Sequence, residues 1–232
     1  MSSVLQHNDI KNLDTKYIGG KARNLHQLNS LDVRVPKWCV ISANVPQEFT
    51  ENLLEELRSF FGDDFEKQQY AVRSSALDED GTQHSFAGQF ESYLHVPFHQ
   101  VKERIEDVWK SASSERVQNY RKQNKLAEDN RIAVIIQQMI PAEVSGVGFG
   151  ADPVTGDGDT RVISAVYGLG EGLVSGALDA DTFRVKGDTI KQELARKTEQ
   201  FVLSDNGQGI AKVPVERDKI DIPSLSEHQV KE

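Results

Sequence analysis

The chain has 232 residues, with 36 acidic against 27 basic side chains, a formal net charge of −9 and a single cysteine, Cys39. That length is ample for one large domain or two small ones. The acidic balance argues against a nucleic-acid or anionic-membrane surface, and one cysteine excludes an internal disulfide framework. Residues 1–10 are polar and carry no apolar signal core. No apolar run approaches the ~20 residues of a membrane span, so the composition reads as soluble and cytoplasmic.

Ala22, Leu25 and Leu28 line one face of a short helix over residues 21–30, with Gly19-Gly20-Lys21 at its N-terminus. A strand, Trp38–Ile41, follows Pro36, and Pro46 starts a second helix carrying Phe49, Leu53, Leu54, Leu57 and Phe60, ended by Gly62. Residues 70–73 read as a strand running into Ser74-Ser75, residues 76–88 as an acidic polar loop, and 90–96 as another strand. Val101, Ile105, Val108 and Trp109 recur at helical spacing, and a charged helix spans 114–126. The apolar run 132–136 predicts a strand buried on both faces. Val144–Phe149 and Arg161–Tyr167 are further strands separated by a Gly/Asp turn, followed by strand-like stretches at 183–185, 189–194 and 210–215. Residues 204–209 read as a loop. Mixed elements without regular βαβ alternation make the fold class α+β.

Glycine distribution says more than glycine number. Nine of the seventeen glycines fall between Gly146 and Gly176, and Gly19-Gly20 directly precedes Lys21. Glycine collects where backbone takes positive φ or comes close to another group; tight turns or ligand-binding loops both satisfy that. Several common signatures fail. Gly20-Lys21 lacks the P-loop spacing, and Gly168-Leu169-Gly170-Glu171-Gly172 lacks the dinucleotide spacing and opens no clear helix. His95 and His99 flank Pro97, so they read as solvated loop histidines, and Cys39 beside Trp38 as a small core residue.

Three features could converge on a polyanion. Lys21 at a helix start combines backbone N–H donors, a helix dipole and an ammonium. Arg73 leaves a strand with a guanidinium suited to two phosphate oxygens, and the loop 82–88 is small and polar enough to cover a nucleotide. Each has a plainer alternative: Lys21 as an exposed helix lysine, Arg73 as the partner of a carboxylate.

The segments Ile18-Gly19-Gly20-Lys21-Ala22, Ala71-Val72-Arg73-Ser74-Ser75-Ala76, Ser85-Phe86-Ala87-Gly88-Gln89, Gln137-Gln138-Met139-Ile140 and Gly168-Leu169-Gly170-Glu171 occur in this order. Together they resemble the N-terminal nucleotide-binding domain of the phosphoenolpyruvate synthase, pyruvate phosphate dikinase and rifampin phosphotransferase family. The pieces Ser145-Gly146-Val147 and Asp152-Pro153 and residues 179–185 fit as well. The resemblance implies an ATP-grasp fold of two α+β halves, residues 1–130 and 131–222, with 223–232 as a linker or helix start. It implies ATP and Mg²⁺ as cofactors, a histidine on a separate swivelling carrier domain as phosphoryl acceptor, and pyruvate or a similar molecule beyond it. Carried over by position, Lys21 and Arg73 are the catalytic phosphate contacts, Gly88 and Ser92 lie on the phosphate-covering loop and following strand, Gln137 on the adenine side, and Glu171 in the glycine-rich loop.

Two departures from the family pattern stand out. The stretch between Pro36 and Arg73 is short where the family carries a longer helical insertion, and Ser224 to Val230 resembles the helix before the family's last strands. Those strands, which supply an acidic metal ligand in the family, are missing from this sequence, so metal ligands stay unassigned. Both an ATP-using phosphotransferase part and a non-catalytic nucleotide-binding or interaction module fit this sequence.

Overall fold

The computed structural model describes residues 2–10, 17–31, 33–77, 91–123, 131–204 and 209–232. They form two compact units, residues 1–140 and 141–232. The expected loop 82–88, with Gly88, lies outside the described residues.

The first unit is built on a five-stranded antiparallel sheet. In chain order its elements are β1 (Val4–Leu5), α1 (His7–Ile10), α2 (Gly19–Asn29), β2 (Trp38–Ile41), α3 (Glu51–Phe61), β3 (Gln69–Ser75), β4 (Ser92–Pro97), α4 (Phe98–Ser111), α5 (Glu115–Gln123) and β5 (Ala133–Gln138). The strand order is β1-β2-β5-β3-β4. The apolar run read as doubly buried is the central strand β5, paired with β2 on one side and β3 on the other. The sequence reading assigns it to the second half; its hydrogen bonds place it in the middle of the first unit.

Strand alternation divides the core in two. Cys39, Ile41, Tyr70, Val72, Val134 and Ile136 face α3 and α4, whose Leu53, Leu57, Ile105 and Val108 bury against them. Trp38, Val40, Ala133 and Ile135 face the other way and pack with Ile18 and Ala22 of the α2 region. Cys39 is fully buried and its thiol is pushed up by that burial, which makes it the inert core residue expected.

Several boundaries moved for local reasons. α3 begins at Glu51 because the Thr50 hydroxyl accepts from the Leu53 N–H at 3.2 Å, the N-cap geometry. The polar N-terminus forms a strand because the Glu56 carboxylate accepts from the N–H groups of Ser3 and Val4 at 2.8 and 2.9 Å. His95 is not the solvated loop residue expected. It is 4% exposed on β4 with φ +55, where the β3–β4 register slips by a bulge.

The second unit carries a four-stranded antiparallel sheet of β6 (Val144–Phe149), β7 (Arg161–Tyr167), β8 (Asp181–Lys186) and β9 (Thr189–Glu193). A short helix α6 (Glu171–Val174) follows β7, where the sequence reading placed no clear helix; a hairpin β10 (Glu199–Leu203) and β11 (Ile210–Pro214) and a last helix α7 (Glu227–Lys231) complete it. Ser226 and Gln229 close a capping box at the start of α7. Its Val230 packs with Ala165 and Phe183 in a small core.

An ion pair supplements that core. The Lys197 ammonium donates to Asp181 at 2.7 Å, with side chains 2% and 0% exposed. Asp181 also accepts from the N–H groups of Ala195 and Ser224 at 2.9 and 2.7 Å, so both carboxylate oxygens are engaged. A buried pair is costly to break from one side, because the remaining charge is stranded. Lys197→Met is therefore expected to destabilise the chain by about 3–5 kcal/mol in urea unfolding, and the double variant Asp181→Asn/Lys197→Met to recover much of that loss.

The β6–β7 connection folds on its own carboxylates. Asp152 accepts from the N–H groups of Val154 and Thr155, and Asp157 from those of Asp159 and, through its other oxygen, from the Thr160 hydroxyl and the Lys186 ammonium at 2.8 Å. The Lys186 hydrogen bond, with the Asp159 N–H, lowers the Asp157 carboxyl from 3.8 to about 2. A carboxyl depressed in the folded state stabilises above its unfolded value and loses that contribution as pH falls through the folded one. Stability of this loop should therefore decline between pH 4 and 2, and Asp157→Asn should flatten that decline when thermal unfolding is followed against pH.

Candidate functional site

Five of the six sequence-predicted site residues lie within the described structure, and four of those share one face of the first unit's sheet. Arg73 on β3 stands directly opposite Ser92 on β4, and Ala71, two residues before Arg73, stands opposite Gln137 on β5. Residues opposite one another across an antiparallel pair, and residues two apart along a strand, point to the same side. Arg73, Ser92 and Gln137 therefore share a side. It is the α2 side, because Gln137 also pairs with Trp38 and the neighbouring Ile135 with Val40, both in the core that holds Ala22.

Lys21 is brought to this face by an unusual helix start. The N-cap residue Ile18 offers no side-chain hydrogen bond. The cap is supplied instead from the end of β3: the buried Ser75 hydroxyl accepts from the Ala22 N–H at 3.1 Å, and the Ala76 carbonyl accepts from the Gly20 N–H at 3.1 Å. Gly19 has φ +72, and a Cβ there would strike the Ser75 carbonyl and stand 2.6 Å from the Ala76 oxygen. The strand end and helix start thus touch main chain to main chain, which only glycine permits. The Gly-Gly-Lys and Arg-Ser-Ser motifs, 53 residues apart at Ala22 and Ser75, are one structural feature.

This corrects part of the sequence reading. Two of the helix-start N–H groups, expected to meet an anion, are already spent on β3. The helix start also carries Lys21, a half-buried residue at the positive end of a helix whose first turn carries no acidic residue. Arg73, also half-buried, adds a second cation on the same face. The exposed Ser92 hydroxyl adds a neutral hydrogen-bonding group beside it.

Glu171 belongs to the second unit, where it is half-buried at the first position of α6. Its glycines approach the protein's own chain. Gly168 has φ +72 and abuts the Phe201 carbonyl, and a Cβ on Gly172 would strike the side chain of Leu178 and lie 2.7 Å from the Phe201 ring. The Ser145 hydroxyl donates to the Gly168 carbonyl at 2.7 Å. Gly156 and Gly176, with positive φ and open space around them, serve the simpler turn role.

Ser75, Phe201 and the Asp181–Lys197 pair went unrecognised as supports of these sites. In the sequence Ser75 reads as one of two hydroxyl residues behind Arg73, and the separation of two motifs gives no hint that one caps the other. For the metal, the described residues contain no group of three or more His, Cys, Asp or Glu placed to hold an ion.

The chain matches the family model for the AMP/ATP-binding domain of pyruvate phosphate dikinase over residues 39–232. The chain belongs to this family. It is 30% identical to the prodigiosin synthesizing transferase PigC of Serratia marcescens, over 99% of this chain and 29% of that protein. It is 32% identical to a rifampicin phosphotransferase of a Streptomyces species, over 99% of this chain and 32% of the relative, and 37% identical to the phosphoenolpyruvate synthase of Pyrococcus furiosus, over 75% and 22%. The chain thus spans about a third or less of the length of these relatives. No helix among the described residues is long and apolar enough to cross a membrane.

The helix-start contact is directly testable. Ser75→Ala leaves the Ala22 N–H buried without its acceptor and should cost about 1 kcal/mol in urea unfolding, the usual cost of a lost N-cap. Gly19→Ala should cost more, since it adds a strained φ of order 1–3 kcal/mol to a backbone collision.

Proposed function

We propose that this chain is the ATP-binding part of a phosphotransferase with an ATP-grasp-like fold, and that the α2 side of the first unit's sheet receives the nucleotide phosphates. The observation that supports this reading is the seating of the α2 start on the end of β3, so that the helix carrying Lys21 starts against the strand carrying Arg73 in a protein of net charge −9. Phosphoryl transfer asks a protein for positioning and charge neutralisation rather than covalent chemistry. Lys21 supplies a compact ammonium and Arg73 a planar fork for two phosphate oxygens. Ser92 donates its hydroxyl beside Arg73, and Gln137 offers an amide to the base. Gly88, on the covering loop, is proposed as a further contact, and Glu171, in the second unit, is proposed on its own account as a nucleotide contact of the glycine-rich loop.

Mg²⁺, when bound with the nucleotide, supplies further charge neutralisation. The phosphoryl acceptor is proposed to be a histidine on a separate carrier domain, which passes the group to pyruvate or a comparable small molecule. The relatives, a rifampicin phosphotransferase and a phosphoenolpyruvate synthase among them, support that class of reaction while differing in acceptor.

Isothermal titration with Mg·ATP tests the reading. Each charge-assisted contact contributes ~1.5–3 kcal/mol, so Lys21→Ala and Arg73→Ala should each weaken binding about 10- to 100-fold while the chain stays folded. A folded parent chain with no affinity for Mg·ATP overturns the proposal. Mixing the chain with a separately expressed histidine carrier domain and radiolabelled ATP tests the transfer step. Label on histidine supports a catalytic role, and binding without transfer identifies a non-catalytic nucleotide-binding module.

A further inference from the structure

Helix α6 has only four residues and is flanked by Gly168, Gly170 and Gly176, with Gly172 inside it. A helix that short cannot sustain itself in water, since it makes too few hydrogen bonds to offset nucleation. Each glycine adds backbone freedom that folding must remove. The segment that carries Glu171 must therefore take its conformation from something outside it.

Part of the outside support comes from β6 and the residue before it, through the Ser145 hydroxyl on the Gly168 carbonyl and the Glu143 carbonyl on the Gly168 N–H; the rest comes from one residue of the β10–β11 hairpin. Gly168 forms an isolated parallel bridge with Phe201. The Phe201 carbonyl accepts from the Leu169 N–H at 2.8 Å. The Phe201 ring, together with the Leu178 side chain, occupies the space that a side chain at position 172 would need. One residue thus fixes the loop twice, by its main chain at the entry and by its side chain against the first turn of α6.

Phe201 is itself held independently of the loop. It pairs with Lys212 across the hairpin, and Lys212 also donates to Glu199 at 2.7 Å. The hairpin root is tied by the Lys197 N–H to the Ile220 carbonyl at 3.1 Å and the Val215 N–H to the Thr198 carbonyl at 3.0 Å. Lys197 carries the buried pair with Asp181. The support is therefore formed by long-range contacts, and the glycine-rich loop is shaped on it.

We propose that Phe201 is a positioning residue that sets the placement of Glu171, and that the β10–β11 hairpin is the mould of the glycine-rich loop. The proposal rests on the reading of the chain as a nucleotide-binding domain for what Glu171 does, and on the geometry alone for what Phe201 does.

Two measurements on the full chain test it: amide hydrogen exchange over residues 168–178, and Mg·ATP affinity by titration. Phe201→Ala should speed exchange in that segment by roughly tenfold or more, as expected when a local support is lost. It should weaken Mg·ATP binding by about tenfold while residues 181–193 stay protected. Phe201→Tyr keeps the ring and should restore both to within about twofold of the parent, a rescue that general destabilisation would not produce. Should Phe201→Ala unfold the unit, Phe201→Leu, which keeps an apolar side chain but removes the ring, decides the matter: it should loosen 168–178 while leaving 199–203 and 210–214 protected. Unchanged exchange in 168–178 overturns the positioning claim whatever the nucleotide result, and faster exchange with unaltered affinity overturns the nucleotide role of Glu171. Absence of Mg·ATP binding by the parent chain overturns the nucleotide reading instead, and the exchange experiment still decides whether Phe201 shapes the loop.

Discussion

Helix α2 rests on the end of β3 through a contact that leaves no room for a side chain. Gly19 takes a positive φ against the Ser75 and Ala76 carbonyls, and the Ser75 hydroxyl finishes a helix whose own N-cap residue, Ile18, cannot. The spacing of strand and helix follows from that contact. So does the position of Lys21 two residues later, and with it the pairing of an ammonium with the Arg73 side of the sheet. The second unit repeats the device at Gly168 and Phe201. In both places glycine admits the protein's own backbone and a charged residue follows, Lys21 in the first unit and Glu171 in the second.

Electrostatics sorts the acidic surplus into two kinds. Asp152 and Asp157 are consumed in folding, each accepting hydrogen bonds from the turn that surrounds it, and Asp181 is consumed in the second core. Such carboxylates do little to repel an anion, because their charge is met locally by N–H groups, Lys186 or Lys197. The overall charge of −9 is therefore a poor guide to the α2 side of the sheet. The field at a site depends on neighbours within a few ångströms more than on the sum over the chain.

Much of the architecture was legible in the sequence where local pattern and final environment agree. Val144–Phe149 and Arg161–Tyr167 have the expected bounds, and the run at 132–136 is a strand buried on both faces. Elements fixed by distant partners were not legible. β10 takes shape only beside β11, and β1 is held through the Glu56 carboxylate some fifty residues away. The left-handed turn that buries His95 depends on a slip of register between two strands. For the candidate site the residue types were visible and their assembly was not. Lys21 and Arg73 could be picked out as cations in suggestive settings, yet nothing in either motif shows that Ser75 caps the helix of the other. Lys197 is harder still, since a lysine between Arg196 and Thr198 carries no mark of full burial.

The Asp181–Lys197 pair also constrains how this unit can vary over time. Neither residue can change alone without leaving a bare charge in a closed interior, whereas an exchange of both for uncharged side chains is far milder. A lineage must cross that gap in one double step or through a compensating neighbour, so the two positions are bound to drift together or stay fixed. Surface pairs such as Lys212 and Glu199, both well exposed, carry no such obligation.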